Sequence, residues 1–270
     1  MTLARRGDVV TPVVSRAVLD LNAHILPGIH AATPGLPEAV AAAEALVHGG
    51  VTAAVAPALI GDDPVGAMDA ADRAREELGR ALAERSVPLD LLPGGVVPIE
   101  QVAAMPADLV ARASAGGGGR WLVVTLPEAG WPLGLGDLLQ GLEMGGIGLV
   151  IAHPERAESV QATSDRLRDL LGRGALVQLG AGSLGGIHGA RAERTAFDLL
   201  RNGMVTVVAS DEPSPTGHAL DFQAVLASLE GVTRRPREEV DWMVDAGPRR
   251  IAAGEPVRAP RLVPLPRGAA

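Results

Sequence analysis

The stretch Gly148-Leu149-Val150-Ile151-Ala152-His153-Pro154-Glu155-Arg156 is the most informative part of this sequence. Its apolar, β-branched first half predicts a buried parallel strand, and Pro154 predicts a turn directly after the histidine. In α/β barrels the functional side chains follow the carboxyl ends of the strands, which is where His153 lies. Imidazole is also the commonest metal ligand in proteins. The stretch therefore indicates a barrel strand that ends on a candidate metal ligand.

Short apolar runs alternate with Ala-, Leu- and Arg-rich helical segments along most of the chain. This alternation predicts βα units and a parallel sheet, either closed or doubly wound, and hence an α/β fold. The predicted strands are Ala17–Leu21, Thr52–Pro57, Leu89–Leu92, Trp121–Leu126, Leu149–Ala152, Ala175–Leu179 and Val205–Ala209. The predicted helices are Pro37–His48, Val65–Glu84, Asp165–Leu171 and Arg191–Asn202.

Composition narrows the classes of protein that this chain can represent. Hydrophobic residues make up 47% of the 270 residues and aromatic ones only 2%, so we expect an aliphatic core. The absence of cysteine excludes disulfide bonds, thiolate metal sites and a cysteine nucleophile. A net charge of −8 argues against a nucleic-acid partner. Without a long apolar run, and without an apolar segment in Met1–Arg16, we expect a cytoplasmic protein with no membrane insertion.

Other predicted strands also end on polar side chains. Strand alternation places Asn22 and His24 on one face after the first strand, and Asp211 follows the last strand. Together with His153, these residues are candidates for a metal site, although each one alone is more typical of a hydrogen-bonded residue at a barrel mouth. Arg156 is suited either to bind a phosphate or to form an ion pair with a neighbouring acid.

Two further residues are predicted to lie in loops. His188 lies in a Gly-rich segment, where we predict an exposed side chain. Ser183 lacks the sequence pattern of a hydrolase nucleophile and is interpreted as a turn residue. The sequence therefore assigns neither of these residues to the candidate site.

Several of these motifs together resemble one family, the bacterial metal-dependent protein-tyrosine phosphatases of the polymerase-and-histidinol-phosphatase (PHP) superfamily that regulate capsule and exopolysaccharide synthesis. The family's opening motif is matched from Asp20 to Gly28 except at Asn22, and its A-H-P-E-R motif is intact as Ala152–Arg156. The segment from Gly174 to Gly186 and the run Ala209-Ser210-Asp211 also match. We therefore expect membership of this family.

The resemblance implies a single PHP-type distorted (β/α)7 TIM-like barrel over residues 17–255, with an N-terminal extension at 1–16 and a Pro/Arg-rich tail at 256–270. It also implies a hydrolase that acts on phosphotyrosine proteins with a metal such as manganese. In that chemistry Arg156 and Asp211 are the expected catalytic residues.

The departures from the family pattern concern the metal ligands. Three residues match ligand positions: His24, His153 and Asp211. Two weaker candidates stand at altered positions: Asn22 and His30. Three ligand positions are lost: Ala58, Val96 and Pro213. Because Val96 replaces the carboxylate that would bridge the cations, we expect at most one divalent ion (Mn, Fe or Zn), or none.

These departures leave three functional hypotheses. The lost ligands favour a pseudophosphatase that binds a phosphotyrosine protein or the tail of a tyrosine kinase without hydrolysing it. The first alternative is an active phosphotyrosine-protein phosphatase with a reduced, mononuclear site. The second alternative is a metal-dependent hydrolase of altered chemistry.

Overall fold

The structure is a computed structural model that describes residues 18–211, Leu229 and residues 236–257. The predicted extension at residues 1–16, the lost ligand position Pro213 and residues 258–270 of the predicted tail lie outside the described residues. No helix in the described ranges is long and apolar enough to cross a membrane.

Strands and helices alternate through the described ranges. The strands are β1 (Val18–Asp20), β2 (Val51–Val55), β3 (Ala58–Leu59), β4 (Asp90–Leu92), β5 (Gly95–Pro98), β6 (Trp121–Thr125), β7 (Gly148–Ala152), β8 (Leu176–Gly180) and β9 (Val207–Ala209). The helices are α1 (Leu36–His48), α2 (Pro64–Glu84), α3 (Ala107–Ala113), α4 (Leu135–Met144), α5 (Glu158–Ala162), α6 (Asp165–Gly172), α7 (Ala181–Leu184), α8 (Ala190–Arg201), α9 (Arg237–Asp241) and α10 (Gly247–Ala252). Short 3₁₀ turns cover Ile99–Ala104, Ala115–Gly117 and Pro154–Arg156, and a π-helical turn covers Trp242–Ala246.

All pairings between these strands are parallel. One sheet has the order β1-β2-β4 and the other has the order β3-β5-β6-β7-β8-β9. Two-residue breaks separate β2 from β3 and β4 from β5, and backbone hydrogen bonds cross the breaks, from Ala56 N to Leu92 O at 3.0 Å and from Ala58 N to Gly94 O at 2.9 Å. Each pair of short strands therefore acts as one bent strand that passes from one sheet to the other.

The other junction between the two sheets lies beyond the ends of β1 and β9. Ala23 and Asp211 form a parallel bridge there, and Asp211 N donates to Asn22 O at 2.9 Å. With the two bent strands counted once each, seven strand positions follow one another around a distorted barrel. The predicted α/β barrel is thus confirmed. The sequence missed the two breaks, the short strands β3 and β5 that follow them, and six of the ten helices in the described ranges.

The apolar side chains form two layers because successive residues of a strand point to opposite faces. The outer layer fills the space between the strands and the helices. The inner layer fills the barrel and includes Val55, Val96, Val123 and Val150 from neighbouring strands. Trp121 closes the lower end of the barrel, where its Nε1 donates to Glu255 O at 2.7 Å. A filled interior leaves the carboxyl ends of the strands as the place for a site.

The turn Ala115–Gly117 packs against the end of α10. Gly116 has a φ of +67°, and a Cβ there would lie 2.4 Å from Ala252 O and 2.7 Å from Ala252 Cα. Gly119 has a similar φ of +75° but nothing within 4 Å of its Cβ position. A side chain at either glycine would therefore be strained by the positive φ, but only a side chain at Gly116 would also clash with a neighbouring residue.

We expect Gly116→Ala to lower the free energy of unfolding by about 3 kcal/mol, against about 1 kcal/mol for Gly119→Ala. The extra loss arises because Ala252 must move to admit the methyl group. Urea unfolding of the two variants measures the difference. Equal losses would show that the contact between the turn and α10 contributes nothing to stability.

Candidate functional site

His153 and Asp211 occupy corresponding positions, just beyond the ends of β7 and β9. Both have positive φ values, 36° for His153 and 60° for Asp211. Non-glycine residues rarely adopt this left-handed conformation, and where they do it is often at a functional site. The backbone thus turns sharply where each of these side chains enters the barrel mouth.

Two of the three candidate ligands predicted from the sequence, both histidines, lie near the carboxylate of the third, Asp211. His24 Nε2 lies 3.8 Å from Asp211 Oδ1, and His153 Nε2 lies 4.0 Å from the same oxygen. The side chain of Asp211 is fully buried, whereas that of His153 is 21% exposed. The carboxylate therefore forms the floor of the mouth and His153 part of its rim.

Asp211 has two closer partners than these histidines. The Arg156 guanidinium forms an ion pair with Asp211 Oδ2 through Nη2, and Asn22 Nδ2 donates to Asp211 Oδ1 at 3.0 Å. Burial acts to raise the pKa of Asp211, but His153, Arg156 and His24 together hold it below its usual value. Asp211 is therefore an ionised carboxylate whose charge is balanced within the protein.

His30, one of the two weaker candidates, supports the site from below. Its Nδ1 accepts a hydrogen bond from Leu26 N at 2.9 Å, and its ring stacks on that of His24 with centroids 4.6 Å apart. Burial, together with the neighbouring His24, lowers the pKa of His30 to about 3. His30 is therefore a neutral ring that holds its own loop together through the hydrogen bond to Leu26 N and orients His24 by stacking on it.

Asp20 holds the ends of β1 and β9 together. Its carboxylate accepts hydrogen bonds from Ser210 Oγ, from Ser210 N at 3.1 Å and from Asn22 N at 3.2 Å. Burial raises the pKa of Asp20, and these hydrogen bonds oppose that rise. The contacts fix the backbone on both sides of the bridge that delivers Asn22 and Asp211.

Glu155 is a further buried acid that the sequence suggested only as a partner of Arg156. Its Oε1 accepts from Ser183 Oγ at 2.7 Å and from Gly180 N at 3.2 Å, and it lies 4.0 Å from Arg156 Nε. Burial raises the pKa of Glu155 to about 7. Ser183, interpreted above as a turn residue, thus belongs to the site, and its place just after β8 was the signal that could have found it.

The sequence also missed His188 and Gln178. His188 is half-buried rather than exposed, and it favours the ionised form of Asp211 electrostatically. The misassignment arose because only the fold brings its Gly-rich loop back over the barrel mouth. Gln178 on β8 is fully buried, and neither of its side-chain polar atoms bonds to another described residue.

We tested whether these residues fit the metal cluster that the resemblance implies. Ala58 is fully buried and Val96 is 6% exposed in the barrel interior, so both lost positions are apolar. Within the described ranges, no group of three or more His, Asp or Glu side chains is arranged to hold a metal ion. The buried polar atoms without hydrogen-bond partners include the amide oxygens of Asn22 and Gln178, which are poor ligands for a transition metal, and also His24 Nε2 and Asp211 Oδ2, which suit a single ion at most. The residues that the structure describes therefore do not fit a metal cluster.

Glu155 gives a pH-dependent prediction. Its folded pKa of about 7 lies above its ordinary value of 4.5, so its contribution to stability is fully present below pH 4.5 and is lost as the pH rises through 7. As the pH rises from 4.5 to above 7, we expect the free energy of unfolding of the wild type to fall by about 3 kcal/mol more than that of Glu155→Gln. Urea unfolding at pH 4.5 and pH 8 measures the difference, and parallel behaviour of the two proteins would contradict it.

Comparison with known proteins gives consistent matches. A family model described as capsular polysaccharide synthesis, CpsB/CapC, matches residues 18–231. Tyrosine-protein phosphatase YwqE of Bacillus subtilis (strain 168) is 26% identical over 219 residues, which cover 79% of this chain and 84% of that protein. CapC of Staphylococcus aureus is 31% identical over 97 residues, which cover 36% of this chain and 38% of that protein.

Solved structures give a match of the same kind. One matching chain comes from the crystal structures of YwqE from Bacillus subtilis and CpsB from Streptococcus pneumoniae, which are described as unique metal-dependent tyrosine phosphatases. It matches this chain with a TM-score of 0.78 at 24% identity. The match covers 92% of this chain and 100% of that chain. The barrel fold is therefore shared.

Proposed function

Because the chain belongs to the CpsB/CapC family of tyrosine-phosphatase-type proteins of capsular polysaccharide synthesis, we propose that it binds phosphotyrosine protein and hydrolyses it weakly or not at all. Its partner is a phosphotyrosine-bearing chain such as the tail of a tyrosine kinase. The protein is then a binding member of a family whose relative YwqE is a tyrosine-protein phosphatase.

The observation that supports this proposal most strongly is that both carboxylate oxygens of Asp211 already have partners within the protein. One carboxylate oxygen is paired with Arg156 and the other accepts from Asn22, while Ala58 and Val96 replace further ligands with apolar side chains. Metal-assisted hydrolysis needs cations that generate hydroxide and neutralise the charge on the phosphoryl group. The described part of the mouth contains no group of three or more metal-binding side chains, so it supplies neither contribution.

Binding of a phosphoryl group needs fewer parts than hydrolysis does. Arg156 is 21% exposed on its side chain, and a planar guanidinium matches phosphate oxygens well. His153 shares this exposure at the rim, and burial lowers its pKa, although the nearby Asp211 opposes that effect. Gln178 adds a buried amide beneath the rim, whose Nε2 donor has no hydrogen-bond partner among the described residues.

One observation favours an alternative. The distances of 3.8 Å and 4.0 Å from the two histidine Nε2 atoms to Asp211 Oδ1 are not far from those between ligands of one ion. A mononuclear phosphatase using one Mn, Fe or Zn ion, or a hydrolase of altered chemistry at the same residues, is therefore the second candidate. It requires Asp211 to release Arg156.

Calorimetric titration with a phosphotyrosine peptide and the same peptide unphosphorylated tests the proposal. We expect the protein to bind the phosphorylated peptide but not the unphosphorylated one, both in EDTA and in Mn²⁺. We also expect no release of inorganic phosphate. Robust hydrolysis that His153→Ala abolishes would support the mononuclear enzyme instead. Equal affinity for both peptides would reject phosphotyrosine recognition.

A further inference from the structure

We propose that the Arg156 guanidinium is the resident cation of the barrel mouth and takes the place of a metal ion beside Asp211. The proposal goes beyond the proposed function and rests on it only for the identity of the ligand. Its basis is the ion pair between Arg156 and a carboxylate whose side chain is fully buried. A buried ionised carboxylate requires a compensating positive charge close by. Arg156 supplies that charge permanently, because arginine does not lose its proton in proteins.

The surroundings of Arg156 accommodate this position. A Cβ on Gly180 would lie 2.8 Å from Arg156 Nη2 and 3.1 Å from Glu155 Oε1, so the absence of a side chain there makes room for the guanidinium. The Ser183 hydroxyl donates to Glu155 Oε1 and keeps that acid beside the arginine. The arginine position is therefore built into two neighbouring elements, the end of β7 and the end of β8.

Asn22 completes the arrangement on the other side of the carboxylate. Its amide Nδ2 donates to Asp211 Oδ1, while Asp211 Oδ2 lies against the Arg156 guanidinium in the ion pair. Histidine at this position would place an imidazole beside the carboxylate, whereas asparagine places a neutral hydrogen-bond donor. The asparagine that stands in place of a metal ligand thus gives the second carboxylate oxygen of Asp211 a hydrogen-bond donor.

Two consequences follow for the site. The folded barrel mouth is electrically complete without any metal ion. A phosphoryl group that enters it meets the exposed part of the Arg156 side chain, whose Nε and Nη2 atoms are buried and have no hydrogen-bond partner among the described residues. Recognition of a phosphate monoester is then independent of metal, because the cation is part of the chain.

Thermal unfolding of the full chain in EDTA and in excess Mn²⁺ or Zn²⁺, with the metal content of the purified protein, tests the proposal. We expect the wild type to have the same Tm in all three solutions and to hold no stoichiometric ion. One ion present at about 100 times its Kd would instead raise Tm by about 5 °C or more. Such a rise, or one tightly held ion per chain, would overturn the proposal.

Variants separate the role of Arg156 from that of an ordinary ion pair. Arg156→Met is expected to lower Tm by about 10 °C, because it leaves Asp211 buried without a counter-charge. The matched control is Arg112→Met, which removes a partly exposed pair with Asp69 and Asp72 and should lower Tm by only about 2 °C. Equal losses in the two variants would overturn the proposal.

If Arg156→Met does not fold, the double variant Arg156→Met with Asp211→Asn keeps the test decisive. It should regain most of the lost Tm, since no buried charge remains uncompensated. Failure to regain it would count against the proposal. None of these measurements involves phosphotyrosine, so a protein that passes them and still ignores phosphotyrosine peptide would refute the proposed function alone.

Discussion

Hydrolysis of a phosphotyrosine peptide by this chain is expected to stay near background in Mn²⁺, roughly 10³-fold or more below that of an intact metal-dependent phosphatase. A metal cluster lowers the pKa of bound water and neutralises charge on the phosphoryl group, and each effect supplies several kcal/mol. Arg156 can assist the second effect but cannot generate hydroxide. Steady-state release of inorganic phosphate, with YwqE assayed in parallel, measures the ratio.

The matched variant for this prediction is His153→Ala. We expect the residual rate of hydrolysis not to depend on the barrel mouth, so the variant and the wild type should release phosphate equally slowly. A wild-type rate within tenfold of YwqE that His153→Ala abolishes would contradict the account. It would show that the remaining side chains suffice for catalysis.

Val96→Glu is expected to lower the free energy of unfolding by about 3–5 kcal/mol. Val96 is 6% exposed and lies in the inner apolar layer of the barrel, so a carboxylate there would be poorly solvated. Because we propose that no metal cluster forms nearby, added Mn²⁺ should not restore the loss. Urea unfolding in EDTA and in Mn²⁺ gives both values.

The control is Val65→Glu in the first turn of α2. Val65 is 54% exposed, and an acidic side chain at a helix N-terminus is tolerated or favourable, so we expect a change within about 0.5 kcal/mol. Full recovery of Val96→Glu in Mn²⁺ would contradict the account, because it would mean that the surviving residues and one restored carboxylate already hold metal.

The fold was predictable because its strands are continuous aliphatic runs, as parallel strands with both faces covered must be. The run that ends at Ala152 predicted both β7 and the residue that follows it. The breaks after Val55 and Leu92 were not predictable, because the chain stays extended on both sides of each break. They arise from the passage of one bent strand between two sheets, which depends on tertiary pairing.

The site was predictable as a set of residues but not as an arrangement. The rule that functional residues follow barrel strands located His24, His153 and Asp211 together with Arg156. The pairing of Arg156 with Asp211 depends on the left-handed backbone at Asp211 and on the space left by Gly180, and neither is visible in the sequence. The metal-ligand roles of the histidines and Asp211 stay predictions.

The most direct test of the account is phosphorus NMR of a phosphotyrosine peptide mixed with the wild-type protein. Spectra are recorded over time in two solutions, one with EDTA and one with Zn²⁺ and no Mn²⁺. They report binding and hydrolysis in the same sample. The account predicts that the phosphotyrosine signal shifts or broadens in both solutions, that Arg156→Met removes this change, and that no inorganic phosphate signal develops. Growth of an inorganic phosphate signal in the metal-containing sample alone, or an unperturbed phosphotyrosine signal in both, would contradict it.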